Sequence, residues 1–232
     1  MYSFESKVRF SEVDTTHTMT LPAIINYFQD CSTQQSEEMG LGIKALKDRG
    51  KAWILSSWQI EVERYPEIGE NIRICTWPTA FNGLFGLRNY CIIDSNDVMI
   101  AKAHSIWVFM DIEKARPAKP SPEDVAKYQL EEPLEMNLES RKITVSKEYI
   151  EKAVMPVYRY QIDTNNHVNN CQYIQMALEV APEYSKAKRM QVEYKKSAVL
   201  GDEIHAKIDA NNENNVVLMD EEDNVFTIVK FT

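Results

Sequence analysis

Cysteine is scarce in this 232-residue chain, and its four copies are too scattered to act together. Cys31, Cys75, Cys91 and Cys171 stand 44, 16 and 80 residues apart, with no CxxC pair and no adjacent histidine. That spacing excludes a zinc pattern and a disulfide lattice. A reducing compartment follows, and the cytoplasm is the expected location. Basic excess is missing as well: 26 Lys and Arg face 35 Asp and Glu, a net charge of -9. Without a field of cations there is nothing to hold nucleic-acid phosphates, so nucleic acid is excluded as the main partner. The N-terminus, MYSFESKVRF, is polar and alternates like a strand. It reads as neither a signal peptide, a transit peptide nor a membrane span. What is present is an ordinary globular composition, 44% apolar and 26% charged. At this size roughly 70% of the unfolded chain's surface can be buried without disulfides or metals.

The length is large for one small domain and tight for two, and self-similarity resolves it. VRFSEVDTTHT from Val8 and VYRYQIDTNNHV from Val157 each run as a short alternating strand into Asp-Thr and then a histidine. IEVERYPEIGENIRI from Ile60 and VEYKKSAVLGDEIHA from Val192 align without a gap, each with a Gly-acid turn, at Gly69-Glu70 and Gly201-Asp202. CIIDSNDVMIAKA from Cys91 and VLMDEEDNVFTIVKF from Val217 read as hairpins with acid- and Asn-rich turns. Three matches in the same order imply a duplication: an N-terminal repeat over residues 1–130, including a Pro-rich linker, and a C-terminal repeat over 131–232.

Each repeat has one strand, then a helix, then several strands. Leu21, Ile24, Ile25 and Phe28 recur at helical spacing, with Thr20 placed as N-cap and Pro22 in the first turn. Tyr173, Met176, Ala177 and Val180 repeat that spacing. Trp58, Ile60 and Val62, then Ile72, Ile74 and Thr76, alternate with polar neighbours as half-buried antiparallel strands do. The linker, with Pro117, Pro120, Pro122 and Pro133, is expected to run over the surface. The fold class is α+β.

The stretch with the most chemistry is Asp163-Thr-Asn-Asn-His-Val-Asn-Asn170, a carboxylate, an imidazole and several amides just before the second helix. A helix N-terminus offers unpaired N–H groups and a positive dipole end, which suits negative charge developing on a carbonyl oxygen. Acyl transfer is the reaction such a turn fits. His167 serves as donor or proton carrier, Asp163 as base or nucleophile, and Asn165 orients water or substrate. Asp and Asn also start helices on their own account, so a pure capping role is the competing reading. The first repeat holds Asp14 and His17 but reads DTTHTMT, without the Asn-rich run. Cys171, one helical turn beyond His167, reads as a small buried hydrophobe. His104 and His205 sit in strand-like runs.

The segment DTNNHVNNCQYIQMALE resembles the catalytic segment of the acyl-acyl carrier protein thioesterases, bacterial relatives of the plant plastid enzymes. AWILSSWQIEVERYPEIGENIRICTW from Ala52 and AKAHSIWVFMDIEKARPAKP from Ala101 are similar to further strands and the linker of that family. The resemblance runs from about Val8 to the C-terminus. It implies a tandem hotdog fold with one continuous sheet, hydrolysis of fatty acyl-carrier-protein thioesters, and Asp163, Asn165 and His167 at the catalytic positions. One departure stands out. Where the plant enzymes have Glu-Cys, this chain reads Ser197-Ala198 after Glu193-Tyr-Lys-Lys. A cysteine nucleophile is absent there, and Ser197 is left to position water.

The first repeat is then expected to supply the acyl pocket, with Phe28, Trp53, Leu55 and Trp58 as lining and Asn169 and Asn170 as further substrate contacts. The stretch from Met39 to Lys51 reads as an extra helix-like cover for an acyl tunnel. No cofactor is expected, because phosphopantetheine arrives as part of the substrate. An acidic carrier protein would need local basic patches, for which Lys114, Arg116 and Lys119, and Lys186, Lys188, Arg189, Lys195 and Lys196, are the candidates. A homodimer is a further expectation. Acyl-CoA hydrolysis, a non-catalytic acyl-binding module and a double hotdog hydratase are the alternatives.

Overall fold

The computed structural model describes residues 1–232 and divides into two compact units. The first comprises Met1–Ser56 with Ile60–Asn137, the second Ser57–Gln59 with Leu138–Thr232. No helix is long and apolar enough to cross a membrane.

The first unit contains β1 (Tyr2–Lys7), α1 (Leu21–Glu38), α2 (Ile43–Lys47), β2 (Lys51–Val62), β3 (Asn71–Asn82), β4 (Phe85–Asp94), β5 (Met99–Asp111), β6 (Arg116–Pro117) and α3 (Pro122–Ala126). Its strand order is β1-β3-β4-β5-β2, with β6 pairing with β5. The second unit contains β7 (Tyr149–Pro156), α4 (Asn170–Val180), β8 (Arg189–Tyr194), β9 (Glu203–Asp209), β10 (Asn212–Met219) and β11 (Val225–Phe231), in the order β7-β9-β10-β11-β8. One order is the image of the other, strand for strand. Even the irregularities repeat: the ladder slips between Ile92 and Ile93 in one unit and between Leu218 and Met219 in the other.

Both long helices begin for the same local reason. Thr20 Oγ1 accepts the N–H of Ala23 at 3.2 Å, and Asn169 Oδ1 accepts that of Cys171 at 2.9 Å. Leu21, Ile24, Ile25 and Phe28 on α1 are buried, as are Tyr173, Met176 and Ala177 on α4. Each buried Leu, Ile, Phe or Met among them contributes roughly 1.5–3 kcal/mol. The Met39–Lys51 stretch holds one short helix, α2, whose Leu46 is buried. A bidentate pair, Arg49 Nη1 and Nη2 to the Asp124 carboxylate at 3.0 and 2.8 Å, ties the segment to α3.

The strands depart from the half-buried expectation. Cys75 and Trp77, between the apolar positions of β3, are buried too, as are Ser57 and Gln59 on β2. In the first unit the linker explains this by covering the face of the sheet turned away from α1. Trp77 Nε1 donates to the Glu132 carbonyl at 2.9 Å, Leu134 N–H donates to Asn89 Oδ1 at 3.0 Å, and Leu134 packs on Cys75, Trp77 and Cys91. In the second unit Ile143 N–H donates to Glu193 Oε2 at 2.9 Å, and Ile143 packs with Val217, Met219 and Ile228. The linker is therefore a pair of straps that add apolar cover to both sheets, and it is more than a surface connector.

Candidate active site

A five-residue turn opening on aspartate occurs four times in this chain. At Asp163 the aspartate N–H donates to the His167 carbonyl at 2.8 Å, and the Asn166 N–H donates back to the Asp163 carbonyl at 3.1 Å. Asp163 Oδ1 accepts the backbone N–H groups of Asn165 at 2.7 Å and His167 at 3.3 Å. Asn166 takes the strain with a φ of 61°, a conformation that Asn tolerates better than most residues. The same turn closes Asp14 to Thr18, Asp94 to Val98 and Asp220 to Asn224, with His17, Asp97 and Asp223 at positive φ. Two of the four are plain hairpin turns, so a carboxylate holding this loop is no sign of chemistry by itself.

The turn does correct one expectation. His17 occupies the left-handed position, where the second unit has Asn166; the counterpart of His167 is Thr18. Bridges flank both loops in the same register, Val13 with Met19 and Ile162 with Val168. The Met19 N–H reaches the Pro66 carbonyl and the Val168 N–H reaches that of Ala198, so Tyr65 stands where the second unit has Ser197.

Side-chain saturation separates the two copies. In the first, Asp14 Oδ1 accepts both the N–H and the hydroxyl of Thr16, at 2.9 and 2.6 Å, and the Thr16 and Thr18 hydroxyls meet at 2.8 Å. That turn is closed on itself. In the second, Asp163 Oδ1 holds only backbone, Oδ2 is open, and the imidazole of His167 and the amide of Asn165 hydrogen-bond nothing within the protein. His167 is half-buried, and Asn165 and Ser197 are exposed. No hydrogen bond joins the Asp163 carboxylate to the His167 ring, so these two do not form a relay pair. The carboxylate meets the backbone of His167 instead.

Supporting groups fix the loop from beneath. The Val168–Ala198 bond, at 2.9 Å, brings the segment carrying Ser197 alongside the Asp163 turn. Tyr173 of α4 accepts the Ala198 N–H at 2.7 Å, and burial pushes its phenol up to about 12. It stays a neutral anchor. Tyr194 O–H donates to the Asn170 carbonyl at 3.1 Å. Asn169 caps α4, and Cys171 is buried, as expected for a small apolar residue. Sequence reasoning missed Tyr173 and Tyr194, because each reads as one more apolar position.

Phe28, Leu55 and Trp58 are all buried, and the Phe28 ring packs at a tilt against Tyr90, 5.3 Å between centroids. Trp53 is partly exposed and packs on Phe81 and Phe109 at 5.9 and 4.8 Å. Among the basic candidates, Lys114, Arg116 and Lys119 are exposed. Lys196 is paired with Asp220 at 3.1 Å.

Comparison with known proteins now decides the family. The acyl-ACP thioesterase N-terminal domain matches residues 1–128 and the C-terminal domain of the same family matches residues 144–226. The chain belongs to the acyl-ACP thioesterase family. A chloroplastic palmitoyl-acyl carrier protein thioesterase of Gossypium hirsutum is 28% identical over 78% of this chain and 47% of its own length. The Arabidopsis thaliana protein of that description is 26% identical over 82% and 50%. The chain thus spans about half the length of the curated relatives it matches. Among solved structures, an acyl-ACP thioesterase from Bacteroides thetaiotaomicron superposes with a TM-score of 0.88 at 25% identity, over 99% of this chain and 96% of that one. The 12:0-ACP thioesterase of Umbellularia californica superposes with a TM-score of 0.80 at 15% identity, over 99% and 95%. The fold is the double hotdog of these proteins, α+β with antiparallel sheets and few helices.

Proposed function

We propose that the protein hydrolyses fatty acyl-acyl carrier protein thioesters to free fatty acid and carrier protein. The observation that carries this is the contrast between the two duplicated turns: Asp14 Oδ1 is engaged by the Thr16 hydroxyl, which is itself tied to Thr18, whereas Asp163 presents an open oxygen beside an unengaged imidazole and amide. Membership of the acyl-ACP thioesterase family supports the substrate class.

In this reading Asp163 Oδ2 takes a proton from a water that attacks the thioester carbon. Charge develops on the carbonyl oxygen, and His167 or Asn165 donates to it at the start of α4, where the helix dipole favours anions. The C–S bond then breaks, and the departing thiolate takes the proton that Asp163 received. Ser197, exposed on the segment pinned to Val168, holds the water. No resident cofactor or metal enters the reaction; phosphopantetheine comes with the substrate. The acidic carrier approaches over exposed cations such as Lys195 and Arg116. A cytoplasmic location belongs to the same proposal, supported by four cysteines that form no disulfide.

The test is thiol release from carrier-protein thioesters of several chain lengths, with coenzyme A thioesters at matched concentration. Carrier thioesters should be preferred, and His167→Ala should lose activity while Thr18→Ala keeps it. Faster turnover of the coenzyme A series would replace the carrier in this reading. Bound lipid without turnover of any thioester would make the protein a binding module.

A further inference from the structure

Two of the four thiols stand side by side. Cys75 on β3 and Cys91 on β4 are 16 residues apart in sequence, a spacing that gives no reason to pair them, but the hairpin turns at Gly83 and folds one strand back on the other. The register then sets Cys75 directly opposite Cys91. Opposed residues of an antiparallel ladder have Cα atoms about 4.5 or 5.5 Å apart, and both separations lie inside the span that a disulfide bridges. Both side chains are buried beneath the strap, packed with Trp77 and Leu134. The Cys91 thiol hydrogen-bonds the Cys75 sulfur, and that bond, with the Arg73 guanidinium nearby, holds the Cys75 thiol below its ordinary pKa despite burial. The same bond, and burial after it, push the Cys91 thiol up. Cys75 is thus the nucleophile of the pair.

The second unit shows what folding alone asks of these two positions. The repeats align Cys75 with Lys207 and Cys91 with Val217, and the ladder sets Lys207 opposite Val217 in the same way. There Val217 packs with Ile143 of the other strap, and Lys207 reaches Asp223 at 2.8 Å. A strap-covered sheet is built there with neither thiol, whereas the first unit has both, facing each other. The strap over them has no helix or strand of its own. Beyond the bonds to Trp77 and Asn89 it is tied by the Glu131 N–H to the Pro78 carbonyl at 3.1 Å and by Lys102 Nζ to the Glu135 carbonyl at 3.0 Å. A segment held by so few contacts opens well before the sheet does.

We propose that Cys75 and Cys91 are a redox modification site, at which a hydroperoxide that enters when the strap opens converts the two thiols into a cross-strand disulfide. The Cys75 thiolate attacks one peroxide oxygen, the O–O bond breaks and hydroxide leaves, giving a sulfenic acid. The Cys91 sulfur then attacks the Cys75 sulfur, its proton goes to the departing oxygen, and water leaves. Over both steps the two cysteines lose two electrons and two protons, and hydrogen peroxide becomes two waters. Hydrogen peroxide is little larger than water, which suits a pair that bulky reagents cannot reach. The bridge ties β3 to β4, and a reductant reverses it. None of this requires a thioester substrate.

Reduced protein is treated with hydrogen peroxide under native conditions, quenched, unfolded and alkylated. Two of the four thiols should be lost as one disulfide, peptide mapping should join Cys75 to Cys91, and dithiothreitol should restore all four. The oxidised form should melt roughly 5–10 °C above the reduced one, since the bridge closes a loop in the unfolded chain. Cys91→Val installs the residue of the second unit; it should form no disulfide, gain no Tm on oxidation, and leave Cys75 as a sulfenic acid that dimedone traps. Leu134→Ala thins the cover and should speed bridge formation by about threefold or more. Four thiols persisting in the wild type, a bridge through Cys31 or Cys171, or oxygen added at Cys75 without the cross-link would overturn the proposal. So would a disulfide forming as fast in Cys91→Val as in the wild type.

Discussion

Asp163 does two things in this account, and one substitution separates them. Asp163→Asn keeps an oxygen where Oδ1 accepts the N–H groups of Asn165 and His167, but it can no longer take a proton. Asp163→Ala removes both capacities. The structural part is small: one good bond at 2.7 Å and one long bond at 3.3 Å, at the surface, contribute about 1 kcal/mol. For a chain of this size that lowers Tm by roughly 2–4 °C in the alanine variant. The asparagine variant should melt within about a degree of wild type. Activity should behave the other way, with a fall on the order of 100-fold to 10,000-fold in both variants, the usual range for a lost general base.

The internal control is Asp14→Asn, which changes the same atom in the same turn of the first unit. It should leave kcat/KM within about twofold, because Asp14 Oδ1 is spent on Thr16. Thermal melts and thiol release on the three variants complete the experiment. Asp163→Asn retaining activity within about tenfold of wild type would show the carboxylate to be a turn-former like Asp94 and Asp220. An equal fall in Asp14→Asn would contradict the assignment of chemistry to the second turn.

Tyr173→Phe removes the acceptor of the Ala198 N–H, leaving a buried donor unmet. Stability should drop by about 1–3 kcal/mol in denaturant melts, and thiol release should fall with it, since Ala198 carries Ser197. His104 is 6% exposed, its Nδ1 is unsatisfied, and burial lowers its pKa. The folded state therefore resists a proton that the unfolded chain accepts below about pH 6.5, and stability falls as pH drops from there toward the lower folded value. His104→Leu should flatten that part of the pH–stability curve, and an unchanged slope would refute the assignment. All four cysteines are buried, so a thiol reagent should modify none of them rapidly in the native protein and all four after denaturation. A fast-reacting Cys171 would reopen it as a nucleophile.

The duplication, the helix starts and the polar turn were legible because each is encoded locally. Thr20 and Asn169 cap within three residues, and aspartate turns declare themselves by Asp, Asn and Gly. The position of His17 was not. Within a five-residue turn, a shift of one place exchanges the left-handed residue for the one that faces outward, and the identity of a side chain does not record its φ. Burial on both faces of β3 escaped for a different reason. Cys75 and Trp77 are covered by Leu134, far along the chain, and alternation reports only what a strand would bury if one face met solvent. The burial of Arg88 on β4 was invisible for the same cause, since a charged residue in an alternating strand reads as solvent-facing.

Duplication lets each repeat serve as the other's control, and the residues that fail to match then carry the functional information. Where both copies agree, as in the aspartate turns and the slip beside Ile92 and Leu218, the shared feature is explained by folding. Where they differ on the same backbone, folding cannot be the reason for the difference. By that criterion the second unit keeps an open carboxylate, imidazole and amide where the first has closed its turn with Thr16 and Thr18. The first unit has Arg88, held by Gln35 and Thr76, where the second has a neutral Tyr184–Asn214 pair. A fold under selection for stability alone would have no reason to keep the open turn at Asp163, because it leaves polar groups unmet that the other copy shows how to satisfy. On the proposed reading, reaction at Asp163 is a specialisation of the second copy of one ancestral unit, and mutation should show it. Asp163→Asn should slow every chain alike.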